Sequence, residues 1–306
     1  MVMGMKSKLI VIFIIVLLIL MIGFCYPKTN LDLNANTTAI NDTSKSSIVL
    51  DLYNNEILYE HNPHQKMLPA SLTKMLTAYV AVKYYDLDEY VVIDYNMINI
   101  EGSRIYLEVN DVISVKDLIY GLLLCSGNDA ALALAYKYSG NLDDFIYLMN
   151  KEKEELGMKN SIFENPHGLD GKTNNYTTAY DLALLYSACY KIDFLKDVFK
   201  TKIYKTKIYS DRNFTFRNKH RLVHNDDNCL GGKTGYTKKA GRTLITGFED
   251  HFNQVVVVTL DAYNDWQVHR SLSEYGFSQI KRRVLRSRMI NYSSFFISND
   301  FRRGYE

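Results

Sequence analysis

Proline is scarce in this chain, with four in 306 residues, and that scarcity argues against a long, disordered, proline-rich linker. Neither sign of charge dominates: 36 Lys and Arg stand against 34 Asp and Glu, a formal net charge of +2. Nucleic-acid binding usually shows as a concentrated basic surface, so no nucleic-acid partner is expected. Cysteine is limited to Cys25, Cys125, Cys189 and Cys229, with no C-x-x-C pair and no zinc-ligand spacing. His61 and His64 flank Pro63 instead of sharing a helix face, so no metal site is expected there. Internal repeats and low-complexity blocks are lacking as well.

What the chain does have is a core and an unusual start. Hydrophobic residues make up 47% and charged residues 23%, ordinary values for a globular protein. Lys6 and Lys8 precede an unbroken apolar run from Leu9 to Phe24. That is the form of an export signal or an N-terminal membrane anchor, expected over residues 1–26. Ile22, Gly23, Phe24 and Cys25 offer no small-x-small cleavage site, so cleavage and retention both stay open. The protein is expected to be exported, to the outer face of the cytoplasmic membrane or to the cell wall, with membrane contact through its N-terminus. Residues 27–45, rich in Asn, Thr, Asp and Ser, read as a solvated linker. The folded domain is expected over 46–285, and 286–306 as a basic tail too short to be a domain.

Ser47 to Tyr53 and Glu56 to Glu60 read as a β-hairpin. Ile48, Leu50 and Leu52 share one face, and Asn54-Asn55 suits a left-handed turn. A helix is expected from about Ser71 through Tyr85, with Leu72, Met75, Leu76 and Tyr79 on its apolar face. Further helices are expected over Val115 to Leu124 with Ser114 as N-cap, Asp129 to Tyr138, Asp143 to Leu156, and Thr178 to Lys191. Strands are expected over Ile203 to Ile208, Arg242 to Phe248 and Gln254 to Asp261, and a closing helix over Trp266 to Val284. This order gives an α/β chain of the α+β kind. Its antiparallel sheet draws strands from both chain ends, with a helical subdomain inserted between them. A cleft between the two parts is a common place for a site.

Three short motifs carry chemistry. In Ser71-Leu72-Thr73-Lys74, residues three apart on a helix lie within side-chain reach. A Ser hydroxyl needs a base to become a nucleophile, and a Lys amine serves only when burial or nearby positive charge keeps it neutral. In Ser126-Gly127-Asn128, the Ser126 hydroxyl is placed to relay a proton, and Asn128 to bind a substrate amide through both donor and acceptor. In Lys233-Thr234-Gly235, Gly235 lets another backbone approach closely, Lys233 adds positive charge, and Thr234 offers a hydroxyl to a carboxylate. Gly232-Lys233-Thr234 also resembles the end of a P-loop, but that motif needs Gly at 227, where Asp227 stands. Each motif alone is common; their ordered combination resembles the S-x-x-K, S-D-N and K-T-G set of serine β-lactamases and penicillin-binding proteins, with Gly127 in place of the middle Asp.

The chain resembles the D-alanyl-D-alanine carboxypeptidases, the low-molecular-mass penicillin-binding proteins of the S11 peptidase type, over about residues 45 to 285. The resemblance rests on Pro69-Ala70-Ser71-Leu72-Thr73-Lys74-Met75, Ser126-Gly127-Asn128-Asp129-Ala130-Ala131 and Asn165-Pro166-His167-Gly168-Leu169. It rests also on Thr178-Ala179-Tyr180-Asp181-Leu182-Ala183 and Lys233-Thr234-Gly235-Tyr236-Thr237. It implies the β-lactamase/DD-peptidase-like fold, Ser71 as nucleophile, Lys74 as base and Ser126 as a third catalytic residue. Asn128, Lys233, Thr234, Gly235 and Tyr236 then bind substrate, with the backbone N–H groups of Ser71 and Tyr236 as the oxyanion hole. Peptidoglycan stem peptides are the implied partners, β-lactam antibiotics the implied inhibitors, and no metal or organic cofactor is implied. His167 is implied to belong to a structural loop. Many relatives carry a second, β-rich domain and a C-terminal amphipathic anchor, so anchoring is expected to fall to the N-terminus here. Relatives also place an Arg near the stretch occupied by Asn264-Asp265-Trp266; Arg270 is close in sequence but unmatched. That stretch resembles the sporulation-associated branch.

Two other readings stay in view. A class A β-lactamase adds Glu-x-x-Leu-Asn, which Glu164-Asn165 does not fit because Gly168 stands where Asn is needed. A non-catalytic penicillin-sensing or wall-binding module is the second, and three intact motifs argue against it.

Overall fold

The computed structural model describes residues 40–300 apart from 171–173, with side chains described to residue 287. The expected export segment and most of the expected linker lie outside the described residues. β1 (Ser44–Asp51) begins within the stretch expected as linker and turns back into β2 (Ile57–His61). The turn works as its residues suggest: Asn55 adopts a φ of 55°, and the Asp51 carboxylate accepts the Tyr53 and Asn54 N–H groups. A 3₁₀ turn over Ala70–Leu72 leads into α1 (Thr73–Tyr84), followed by β3 (Tyr90–Val92), α2 (Tyr95–Ile98) and β4 (Val112–Ser114). The helical block then runs through α3 (Val115–Leu124), α4 (Asn128–Ser139), α5 (Leu142–Glu155), α6 (Ala179–Tyr190) and α7 (Asp193–Lys200). β5 (Ile203–Lys207) and β6 (Asn213–Arg217) form a hairpin, and α8 (Arg221–Asn225) precedes β7 (Cys229–Thr237), β8 (Gly241–Asp250) and β9 (Asn253–Ala262). α9 (Asp265–Asp300) closes the described chain. It passes the expected end at Val284 and takes in most of the expected tail, since neither Gly nor Pro interrupts residues 285–300.

The five-stranded antiparallel sheet has the order β2-β1-β9-β8-β7. The N-terminal hairpin is zipped onto the C-terminal strands, with Val49 opposite Val257. Strands do come from both chain ends, and the helices between them form the inserted block. Both faces of the sheet are covered, which explains the unbroken apolar run in β9. Val256, Val258 and Leu260 join the large core under the helical block, while Val255 and Val257 join Val268, Leu272 and Ile280 of α9. Ile48 and Leu50 also face the larger core, as their period-two spacing requires. Ser114 caps α3 as expected, its Oγ accepting the Asp117 N–H, and Thr178, expected as the first helical residue, instead caps α6, its Oγ1 accepting the Asp181 N–H.

One buried polar chain ties the sheet to α9. Thr246 Oγ1 lies 2.9 Å from His220 Nε2 and 2.8 Å from His269 Nδ1, and His269 Nε2 lies 2.9 Å from Thr259 Oγ1. Burial holds His220 down to about 3 and, with repulsion from His220, puts His269 well below the ordinary range. Histidines of the unfolded chain titrate near about 6.5. Between there and the depressed folded values the unfolded state binds more protons. The stabilisation is therefore complete above about pH 6.5 and is lost as pH falls. Urea titrations at pH 7, 6 and 5, a window above most carboxylate titrations, should show stability falling by up to about 1.4 kcal/mol per unit for each histidine. A flat profile over that window would rule out this source of acid sensitivity.

Candidate active site

Ser71 sits at the head of α1, in the 3₁₀ turn, with its side chain half-buried. One helical turn on, Lys74 is fully buried, and its Nζ lies 3.1 Å from Ser71 Oγ. The same nitrogen donates to the His167 carbonyl at 2.5 Å. No carboxylate is paired with Lys74 among the described residues. Burial first, then repulsion from Lys233 and Lys219, lowers its pKa well below the ordinary lysine value, against a smaller opposing pull from Asp129. A neutral Lys74 has N–H groups for the His167 carbonyl and a lone pair left for the Ser71 proton.

The loop Asn165–Leu169 makes this geometry possible. Asn165 Oδ1 accepts the His167 and Gly168 N–H groups, and Thr77 of α1 donates to the Pro166 carbonyl at 2.6 Å. Gly168 adopts a φ of +81°, and a Cβ there would lie 1.8 Å from the Ala70 carbonyl oxygen. The His167 ring accepts the Leu169 N–H through Nδ1, and burial lowers its pKa to about 3. His167 thus works through its carbonyl and through the loop. Ala70, just before Ser71, has a φ of +48°, a conformation a non-glycine residue holds only when its surroundings impose it.

β7 forms the neighbouring wall. A Cβ on Gly235 would lie 3.0 Å from Ser71 N and 2.4 Å from Thr243 Oγ1, so only glycine lets this strand run against the Ser71 backbone. Thr243 fixes the approach by donating to the Pro69 carbonyl at 3.2 Å. Lys233 is buried and donates to the Thr234 carbonyl at 2.8 Å. Burial and repulsion from Lys219 lower it to about 7. Thr234 is half-buried, and Tyr236 is 65% exposed at the rim.

Ser126 occupies the short junction between α3 and α4 with a φ of +64°, and its side chain is buried. Asn128 opens α4; its side-chain amide donates to the Glu101 carbonyl at 2.6 Å and its backbone N–H to the Ser103 carbonyl at 2.7 Å. Gly235 of β7 lies against Ser71 N, and α4 packs on α1. Three distant chain segments carry these residues: the α1 head, the α3–α4 junction and β7. The link between the last two includes Lys219, which donates to Ser103 Oγ at 3.0 Å and lies near enough to both other lysines to repel their protons.

A sequence model of the peptidase S11 family, described as D-alanyl-D-alanine carboxypeptidase, matches residues 34–264. This chain belongs to the peptidase S11 family. It is 33% identical over 270 residues to the D-alanyl-D-alanine carboxypeptidase DacA of Haemophilus influenzae, covering 82% of this chain and 66% of that protein. It is 28% identical over 261 residues to DacF of Bacillus subtilis, covering 82% and 67%. The chain thus spans about two thirds of the length of these two relatives. Among solved structures, a D-alanyl-D-alanine carboxypeptidase of Mycobacterium tuberculosis superposes with a TM-score of 0.76 at 26% identity, covering 80% of this chain and 95% of that one. The Streptomyces K15 DD-transpeptidase gives 0.73 at 28% identity, covering 78% and 98%. The S11 chain therefore has the DD-peptidase fold.

Lys219 is the site residue that sequence reasoning missed. It lies in a connecting stretch and in none of the three motifs, so no local signal marks it. Arg270, considered for the carboxylate, is engaged elsewhere: its Nε donates to Asp226 at 2.9 Å. A cation beside Asn264-Asp265-Trp266 is Arg242 of β8, 3.6 Å from the Asp265 carboxylate and opposite Tyr236 in the sheet register. No group of His, Cys, Asp and Glu among the described residues is arranged to hold a metal ion. Cys125, Cys189 and Cys229 are unbridged.

Proposed function

We propose that this protein is an exported serine D-Ala-D-Ala carboxypeptidase that removes the terminal D-alanine from peptidoglycan stem peptides. The observation that carries the reading is a buried Lys74 amine, paired with no carboxylate among the described residues, 3.1 Å from the Ser71 hydroxyl. Ser71 gives its proton to Lys74 as its oxygen attacks the carbonyl between the last two D-alanines. The backbone N–H groups of Ser71 and Tyr236 receive the developing oxyanion. The proton passes through Ser126 to the departing amine, and D-alanine leaves. Water then gives a proton to Lys74, attacks the ester and frees the shortened peptide, and the proton returns to Ser71. Asn128 holds the amide on the acyl side. Lys233, Thr234 and Lys219 meet the terminal carboxylate, and its negative charge draws the Lys233 pKa back up from about 7. β-Lactams, as mimics of the D-Ala-D-Ala end, acylate the same oxygen.

Release of D-alanine from a D-alanyl-D-alanine peptide tests the reading directly, and the C-terminal amide of that peptide tests the carboxylate pocket. Thr234→Val should lower kcat/KM for the free acid by about 10- to 100-fold, the range of a hydrogen bond to a charged group. It should lower that for the amide far less. Equal losses on both peptides would remove Thr234 from carboxylate recognition.

A further inference from the structure

Asp129, next to Asn128 in α4, is 1% exposed, and no Lys or Arg pairs with it among the described residues. Among the described residues, its hydrogen bonds come from backbone N–H groups. The carboxylate accepts the N–H groups of Ile105 at 3.0 Å, Tyr106 at 2.8 Å and Leu107 at 3.2 Å, and that of Ala130 at 2.9 Å. Three consecutive N–H groups pointing at one carboxylate form an anion nest. The nest holds Tyr106 at a φ of +64°, which a tyrosine does not adopt unaided. The N-terminal position in α4 further favours the negative charge.

The strap held in this way, residues 101–107, faces the site with its other end. Glu101 and Ser103 supply the carbonyls that fix Asn128, and Ser103 Oγ takes the Lys219 ammonium. From the solvent side, Arg212 donates to the Tyr106 carbonyl at 3.0 Å and pairs with Glu108 at 3.0 Å. We propose that Asp129 is a positioning residue: by clamping the 101–107 strap it aims the Asn128 amide, and with it the amide on the acyl side of the substrate. The inference rests on the carboxypeptidase reading of the same site.

Asp129→Asn keeps the shape but turns one acceptor into a donor that faces N–H groups. Two substrates separate positioning from general damage. One is a D-Ala-D-Ala peptide with an acyl-side amide; the other is a thioester that delivers a simple acyl group with no such amide. For Asp129→Asn, kcat/KM should fall 10- to 100-fold on the peptide and less than threefold on the thioester. Equal falls would mark Asp129 as merely structural and overturn the proposal. Asn128→Ala should show the same loss of selectivity, with Asp129→Asn adding none in that background; full additivity would contradict action through Asn128. If Asp129→Asn does not fold, Arg212→Gln loosens the same strap from outside. It should erode the peptide preference by a few-fold, and unchanged selectivity would again overturn the proposal. Amide hydrogen exchange at residues 105–107 tests the clamp even if wild-type protein turns over neither substrate, which would defeat the carboxypeptidase reading alone. Faster exchange in the variant supports the clamp and unchanged exchange contradicts it.

Discussion

Ser71→Ala is expected to give a folded protein that forms no covalent adduct with a β-lactam and releases no D-alanine. Only one hydroxyl is removed, from a half-buried position at the end of a turn. The backbone strain at Ala70, the Gly168 contact and the Lys74 bond to the His167 carbonyl all remain. Folding should therefore be nearly unchanged, while loss of the nucleophile in a serine hydrolase costs on the order of 10⁶ in kcat. Circular dichroism and a fluorescent penicillin, applied to the same preparation, separate the two effects. A variant that still labels would show that another residue carries the acyl group.

The second large effect is expected at Lys74. Lys74→Met retains the volume of the buried stem and removes the amine. Acylation by a β-lactam should slow by about 10²- to 10⁴-fold, the range of a positioned general base. The pH profile gives an independent check. The base works only when unprotonated, so wild-type acylation should fall as pH drops through the Lys74 pKa. That acid limb should lie well below the ordinary lysine value, because burial, Lys233 and Lys219 all disfavour the charge. In Lys74→Met the limb should vanish. Stopped-flow acylation across pH measures both, and near-wild-type rates in the variant would remove Lys74 as the base.

The parts of this architecture legible in the sequence were those governed by short-range rules. The Asn54-Asn55 turn, the Ser114 cap and the alternation in β1 depend on a few neighbouring residues, and each element forms where they point. β7 is absent from the strands expected from the sequence, because Gly231, Gly232 and Gly235 break the apolar alternation that marks a strand. They do so for long-range reasons: added Cβ atoms would meet Phe199, Ile245 and Thr243 at contact distances no strand pattern encodes. α9 outran its expected end because its amphipathic pattern fades while no helix breaker follows.

The candidate site divides in the same way. Ser71 and Lys74 share a helical turn, so their proximity follows from spacing. The depressed basicity of Lys74 does not, because it depends first on burial and then on Lys233 and Lys219, all of which come only through the fold. His167, a natural suspect in a hydrolase for its ring, gives Lys74 its backbone carbonyl instead. Asp129 looks like an ordinary N-terminal helix acid until the strap it holds is seen. Side-chain identity announces nucleophiles and bases, whereas the groups that orient them act through backbone and distance.

The most direct test is the intact mass of the protein after brief exposure to benzylpenicillin, followed by proteolytic mapping of the modified peptide. The account predicts a single stoichiometric adduct, located on the Ser71 oxygen. An unmodified protein, or an adduct on any other residue, would contradict it.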